Sequence, residues 1–184
     1  MKLIAGLGNP ERKYKNNRHN AGFMFLDYLI NNWKCASETE LKNEKKMLSK
    51  IAKIKCNNHK YILAKPQTYM NNSGIAIQKI AAYFKINHLL NLFIAHDDLD
   101  IPLGKFHIQK KRGPKSHNGI SSIEQILGMQ DFWRIRIGVD NRSQEEYHIS
   151  GESYVLQDFK IQEKDILFNI FPDIVKQLKT YLKL

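Results

Sequence analysis

The amino-acid sequence predicts an α/β fold, a single three-layer domain over residues 1–184 with a mixed, mostly parallel sheet flanked by helices. Short strands rich in Ile, Leu and Val alternate with amphipathic helices, as in βαβ units. A chain of 184 residues with 42% hydrophobic residues suits one domain with a substantial core. No internal repeat, low-complexity tail or Pro- or Gly-rich linker divides it.

The strand candidates are short and rich in apolar residues, which is typical of buried strands. They cover residues 2–6, 47–55, 61–65, 92–96, 104–109 and 134–139. The helix candidates cover residues 21–33, 72–84, 119–127 and 162–182, and the second carries an apolar stripe that includes Ile77 and Ile80. Pro172 lies inside the last helix and predicts a kink or a division there.

The charge of the chain favours a polyanionic partner. Lys and Arg number 29 against 18 Asp and Glu, so the formal net charge is +11. The chain is also rich in Lys, Asn and Ile, a bias that genomic base composition can produce. The charge alone is therefore a weak indication of nucleic-acid binding.

Membrane and metal functions are not expected. No stretch approaches the ~20 apolar residues of a membrane span, and no cleavable signal segment precedes the first strand, which predicts a cytoplasmic protein. Cys35 and Cys56 lack the spacing of a zinc site and are expected to be reduced thiols.

A dinucleotide site is also excluded. Gly6-Leu7-Gly8 follows a strand, but the dinucleotide fingerprint needs a third glycine and a helix that begins at once. Here Asn9-Pro10-Glu11 intervenes before the next helix candidate. We therefore expect no cofactor.

Polar residues follow the apolar strands at several points of the chain. His19 and Asn20 precede the first helix, Asn71 follows the third strand candidate, and Asp97 directly follows the fourth. A further block, Ser116-His117-Asn118-Gly119, opens the third helix. In open α/β sheets such strand ends line the ligand crevice.

These blocks together resemble bacterial peptidyl-tRNA hydrolases, over nearly the whole chain and in the same order. The resemblance extends to the strand at 134–139 and to Tyr154-Val155-Leu156. It implies the phosphorylase/hydrolase-like fold of that family. The sequence does not give the oligomeric state, and a hydrolase of this size is expected to work as a monomer. The implied reaction hydrolyses the ester between the peptide and tRNA, which recycles tRNA from prematurely released peptidyl-tRNA. The implied partner is the acceptor stem and 3′ end of peptidyl-tRNA.

The resemblance also implies the roles of particular residues. His19 is the general base that acts on water, and Asp97 orients it. Asn9, Asn71 and Asn118 bind the substrate, since a carboxamide can pair with any peptide backbone. Asn71, with a backbone N–H, is a candidate for stabilising the oxyanion.

Two further groups follow from the resemblance. Tyr14 is expected to stack on the terminal adenine or ribose, and Met70 to form an apolar wall of the pocket. A basic set is expected to bind tRNA mainly through its phosphates: Lys110, Lys111, Arg112, Lys115 and Arg136.

The chain departs from the family pattern in two places. Glu11 follows Asn9-Pro10 where the family usually has glycine, and the loop before His117 carries Lys, Arg and Pro114 where the family is rich in glycine. We expect altered tRNA contacts and an unchanged catalytic centre. A cleft of amides with no matching carboxylate would reject the ammonium of an unblocked aminoacyl-tRNA.

Two other functions compete with this interpretation. A noncatalytic RNA-binding or splicing-factor relative on the same scaffold would keep the basic face and lose the chemistry. A small-molecule amidohydrolase or peptidase would act on acylated amino acids without RNA. Retention of His19 and Asp97 argues against the first, and the charge of +11 argues against the second.

Overall fold

A single seven-stranded sheet organises the molecule. The computed structural model describes residues 1–33, 40–56, 59–86 and 89–182. The order across the sheet is β2-β3-β4-β1-β5-β7-β6. The strands are β1 (Lys2–Gly6), β2 (Lys42–Glu44), β3 (Ser49–Cys56), β4 (His59–Pro66), β5 (Leu92–Pro102), β6 (Phe106–Lys110) and β7 (Trp133–Asp140). Five strands run in one direction, and β3 and β6 run in the other. The prediction of a mixed, mostly parallel sheet is confirmed.

Helices cover both faces of this sheet, because its central strands carry apolar side chains on both sides. The helices are α1 (Ala21–Asn32), α2 (Ser73–Tyr83), α3 (Asn118–Leu127), α4 (Gly151–Val155) and α5 (Ile161–Leu182). One hydrophobic cluster joins α1 and α5 to the sheet through residues such as Phe25, Leu63 and Phe171. The other joins α2 and α3 to the opposite face through residues such as Ile77 and Ile94.

The predicted helices and strands are all present, with shifted ends, and two short elements were missed. Strand β2 has the sequence Lys-Asn-Glu, which carries no apolar pattern, and it forms only because it pairs with the edge of β3. Helix α4 spans five residues, and the Ser150 hydroxyl caps it by accepting from the Ser153 N–H. Helix α5 runs unbroken through Pro172, so the alternative of a divided helix is wrong.

The structure also bears on the state of Cys56 and on the expectation that the chain has no membrane-spanning helix. Cys56 takes part in a disulfide, so the prediction that it is a reduced thiol is wrong; Cys35 lies outside the described residues. Within the described parts of the chain, none of the helices has the length and apolar character needed to cross a membrane.

Candidate active site

A polar cleft of about 520 Å³ opens beyond the end of β1, beside the middle of β5 and the start of α3. Its walls bring together all the residues for which a catalytic or substrate-binding role was predicted, although they are far apart in the sequence. They are Asn9, Tyr14, His19, Met70, Asn71, Asp97 and Asn118. This region is called the catalytic cleft below.

The close approach of α1 to the sheet fixes the position of His19. A Cβ on Gly22 would lie 2.3 Å from the Ala95 carbonyl oxygen, and one on Gly6 would lie 2.2 Å from the Gly22 carbonyl oxygen. Only glycine permits backbones to approach this closely. The turn Arg18–Asn20 that leads into α1 is therefore held against the end of β1 and the middle of β5.

His19 and Asp97 form a buried pair at the base of the catalytic cleft. His19 Nδ1 lies 2.9 and 3.0 Å from the two carboxylate oxygens of Asp97. Burial lowers the pKa of His19, but the charge and hydrogen bond of Asp97 outweigh it, so the pKa is raised above its ordinary 6.5. Burial alone would raise the pKa of Asp97, yet the two histidines beside it hold that pKa well below its usual range. His19 Nε2 has no hydrogen-bond partner among the described residues, so it is available to accept a proton.

A second histidine, His117, also contacts Asp97. No role was predicted for it from the sequence. Its Nδ1 accepts hydrogen bonds from the backbone N–H groups of Gly119 and Ile120 at the start of α3. The proton must therefore lie on Nε2, which donates to Asp97 Oδ1 over 3.0 Å. The sequence places His117 at the predicted start of a helix, but local sequence could not predict its contact with Asp97, which comes from a distant strand.

His96 completes a row of three histidine rings. The centroids of His19 and His117 are 4.9 Å apart, as are those of His117 and His96. His96 Nδ1 donates to the Asp97 carbonyl oxygen over 2.7 Å. Burial lowers the pKa of His96 well below its ordinary value, so this ring is neutral and serves to fix the backbone beneath Asp97.

Asn9 is held by a pair of hydrogen bonds with Asn20. The Asn9 N–H donates to Asn20 Oδ1 over 2.8 Å, and Asn20 Nδ2 donates to the Asn9 carbonyl over 3.0 Å. Asn9 Oδ1 accepts from the Met70 N–H over 2.9 Å. These contacts fix the orientation of the Asn9 amide and leave its Nδ2 without a hydrogen-bond partner among the described residues.

The opposite rim of the cleft is more open. Asn71 and Asn118 are exposed, and their side chains make no hydrogen bond within the described ranges. Glu11 accepts a hydrogen bond from the Tyr69 hydroxyl and forms an ion pair with Lys13 at 3.1 Å. The residue that departs from the family pattern thus joins two loops at the mouth of the cleft.

Glu152, from the first turn of α4, also lines the catalytic cleft. Its charge contributes to the raised pKa of His19. The expectation that the cleft holds no carboxylate able to meet an ammonium group is therefore wrong. It failed because α4 was not predicted from the sequence.

Among the described residues, His19, Asp97 and His117 are the side chains that could form a metal site. Ligand atoms of His19, Asp97 and His117 all lie within 4.8 Å of one another. One nitrogen of each histidine already lies within hydrogen-bond distance of the Asp97 carboxylate, and the proton on His117 Nε2 is fixed by the backbone contacts of Nδ1. The hydrogen-bond pattern accounts for the cluster without an ion.

The residues predicted to bind tRNA differ in their exposure and in their contacts. Lys110 lies over the Trp133 ring at 4.8 Å, beside the amino end of β7 and away from the cleft. Lys111, Arg112 and Lys115 are exposed. Arg136 is mostly buried, and its Nε donates to Asp98 Oδ2 over 2.6 Å.

A buried ion pair secures the turn that carries His19. Arg18 Nη2 donates to both carboxylate oxygens of Glu163, at 2.7 and 2.9 Å. Arg18 also lies over the Tyr154 ring, with its guanidinium carbon 4.2 Å from the centroid. The first turn of α5 is thereby attached to the residue next to the candidate base.

Comparison with known proteins gives a consistent result. The family described as peptidyl-tRNA hydrolase matches residues 3–184. The peptidyl-tRNA hydrolase of Lawsonia intracellularis is 39% identical over 181 residues, which cover 98% of this chain and 87% of the relative. That of Mesoplasma florum is 44% identical over 163 residues, covering 89% and 83%. The crystal structure of peptidyl-tRNA hydrolase from Acinetobacter baumannii superposes with a TM-score of 0.83 at 28% identity, covering 100% of this chain and 93% of that one.

Proposed function

This chain belongs to the peptidyl-tRNA hydrolase family and hydrolyses the ester bond of peptidyl-tRNA, and from that premise we propose that His19 is its general base. The observation that carries the proposal is the buried pair of His19 Nδ1 with Asp97, which leaves Nε2 available in a cleft lined by amides. A histidine held in one tautomer by a carboxylate is the arrangement that activates a nucleophile elsewhere in hydrolases.

The proposed reaction begins with water bound between His19 Nε2 and the ester carbonyl. As the water oxygen attacks the carbonyl carbon, its proton passes to Nε2, and Asp97 stabilises the imidazolium that forms. The tetrahedral intermediate then expels the ribose oxygen, which takes the proton from Nε2. The products are a free peptide carboxylate and a tRNA with an intact ribose hydroxyl.

The asparagines bind the substrate in this scheme. Asn9 Nδ2 donates to a carbonyl of the peptide, because its Oδ1 is already occupied by the Met70 N–H. Asn71 and Asn118 supply amides on the opposite rim, and Asn71 with a backbone N–H stabilises the oxyanion. Loss of one such donor typically costs ~10²–10³ in rate.

His117 acts on the reaction through Asp97. Its Nε2 proton and the contacts of His19 occupy the inner face of the carboxylate, so Asp97 stays ionised and fixed in orientation. Met70 closes the inner side of the cleft, and Tyr14 stacks on the terminal nucleoside.

We propose that exposed cations bind the acceptor stem. Lys111, Arg112 and Lys115 contact phosphates, Lys110 adds to the positive field, and Arg136 makes a smaller contribution. We expect Arg136 to contribute less than the exposed three, because Asp98 already neutralises it. We further propose that the protein acts as a monomer in the cytoplasm, without a metal ion or cofactor.

Release of an N-acetylated amino acid from tRNA tests the proposal. The wild-type protein should release it faster than the unblocked amino acid from the same tRNA. His19→Ala should lower kcat by ~10²–10⁴, the usual contribution of a general base. Tight, salt-dependent tRNA binding by the wild type without any release would instead indicate the noncatalytic alternative.

A further inference from the structure

A second cleft, of about 590 Å³, adjoins the catalytic cleft and has no role in the proposed reaction. It lies between α1, the start of α5, the start of β3 and the end of β4. Residues that mark it are Asn9, Phe23, Asp27, Lys50, Lys65 and Phe168. Its volume is within the ~300–1,000 Å³ that is usual for clefts that hold ligands.

The two clefts meet at Asn9, which lines both. Asn20, whose side chain is hydrogen-bonded to the Asn9 backbone, lines the second cleft and directly follows His19 in the sequence. The second cleft is therefore adjacent to the position at which the ester carbonyl would lie beside His19.

The second cleft has an aromatic floor and a rim of cations. Phe23, Tyr28 and Phe168 line it. Lys65 is largely buried, forms an ion pair with Asp27 at 2.7 Å, and lies 4.8 Å from the centroid of the Phe23 ring. Burial lowers the pKa of Lys65, and the charges of Lys50 and Lys15 add to that effect.

Four further cations on this rim have no ion-pair partner within the described ranges. They are Arg12, Lys15, Lys50 and Lys164. The lining carboxylates are already engaged, since Asp27 pairs with Lys65 and Glu11 pairs with Lys13. The second cleft therefore has an unneutralised positive charge that complements an acidic ligand.

The second cleft and Arg136 lie on opposite faces of the sheet. Alternate residues of β7, Ile135 and Ile137, belong to the hydrophobic cluster of α1 and α5, so Arg136 between them faces the other side. The loop after β6 packs on that other side too, because a Cβ on Gly113 would lie 3.1 Å from Arg134 Nη1. The tRNA contacts proposed above thus leave the second cleft free.

We propose that the second cleft binds the part of the peptide on the N-terminal side of the esterified residue, and that its cations favour acidic side chains there. This inference rests on the proposed function, because it places the peptide of peptidyl-tRNA on the α1 and α5 face of the sheet and the tRNA on the other face. The catalytic cleft would set the rate for any blocked aminoacyl group. The second cleft would add affinity only when the peptide is long enough to enter it.

Three substrates on one tRNA test this inference. They carry an N-acetylated single amino acid, an N-acetylated pentapeptide with Asp at its N-terminal positions, and the same pentapeptide with Ser in place of Asp. The variant is Lys15→Ala with Lys50→Ala, which removes two rim charges. The matched control is Lys53→Ala with Lys55→Ala, which removes two exposed charges from the opposite face of β3.

We expect the rim variant to lower kcat/KM for the acidic pentapeptide by about fivefold, since two exposed ion pairs are each worth a modest factor. The single amino acid and the Ser pentapeptide should change by less than about twofold, and the control variant should affect all three alike. An equal loss on all three substrates in the rim variant would overturn the inference, because the cations would then bind RNA. No loss on the acidic pentapeptide would overturn it as well.

A binding measurement keeps the inference testable without catalysis. The free acidic pentapeptide, titrated into the wild-type protein, should shift the backbone amide NMR signals of Phe23, Asp27, Lys65 and Gln67. Shifts that leave these four residues unaffected would refute the inference. A wild-type protein that fails to hydrolyse even the single blocked amino acid would refute the proposed function instead.

Discussion

Glu163→Gln should be one of the most destabilising single changes available in this chain, because it leaves a buried charge without its partner. The side chains of Arg18 and Glu163 are only 3% and 5% exposed. Besides Arg18, the Glu163 carboxylate accepts from Asn141 Nδ2 at 3.2 Å and from the Lys160 N–H at 2.7 Å. A glutamine can keep some of these contacts, but it cannot neutralise the guanidinium.

Removal of one partner of a buried ion pair costs about 3–5 kcal/mol in the free energy of unfolding. For a domain of this size each kcal/mol lowers Tm by about 2–4 °C, so a fall of roughly 6–20 °C is expected. At temperatures where the variant stays folded, kcat should also fall, because Arg18 directly precedes His19. A misplacement of about 1 Å can cost up to ~10² in rate.

Urea unfolding followed by tryptophan fluorescence, together with kcat for an N-acetylated aminoacyl-tRNA, measures both effects. Glu11→Gln is the matched control, since it is the same chemical change in an exposed ion pair near the same cleft. Its effect on the free energy of unfolding should be far smaller. If the two variants lost the same stability, the argument from the buried charge would be refuted.

Two further predictions concern the catalytic cleft. Glu152→Gln should lower the pKa of His19, because it removes a nearby negative charge. The acid limb of the pH profile of kcat/KM, where the base becomes protonated, should therefore move to lower pH. An unmoved limb would show that the Glu152 carboxylate does not act on the base. A chelator such as EDTA should leave the hydrolysis rate unchanged, because hydrogen bonds account for the cluster of His19, Asp97 and His117; loss of activity that Zn²⁺ restores would contradict this.

The sequence was sufficient for those parts of the site that depend on local order. His19 precedes an amphipathic helix, Asp97 directly follows the apolar segment 92–96 of the longer strand β5, and Asn9 and Asn71 follow strands. The carboxyl ends of parallel strands meet at one edge of a sheet, so a shared cleft could be predicted. The roles of these residues were inferred from the family resemblance, and the structure brings the residues together in one cleft.

The sequence failed where a residue's environment comes from distant parts of the chain. The pairing of Arg136 with Asp98 could not be predicted, because the two side chains come from neighbouring strands that are 38 positions apart in the sequence. Helix α4 was missed because five residues carry too short a pattern, and with it the carboxylate of Glu152 in the cleft. Strand β2 was missed because its pairing partner alone makes it a strand.

The sequence by itself determined the α/β fold, its helices and main strands, and the set of polar residues at the strand ends, because hydrophobic periodicity and turn residues are local properties of the chain. Only the tertiary structure decided that His117 holds Asp97, that Glu163 anchors the turn before His19, and that a cationic second cleft adjoins the first. These contacts join residues more than fifteen positions apart, and the packing of the sheet faces brings them together.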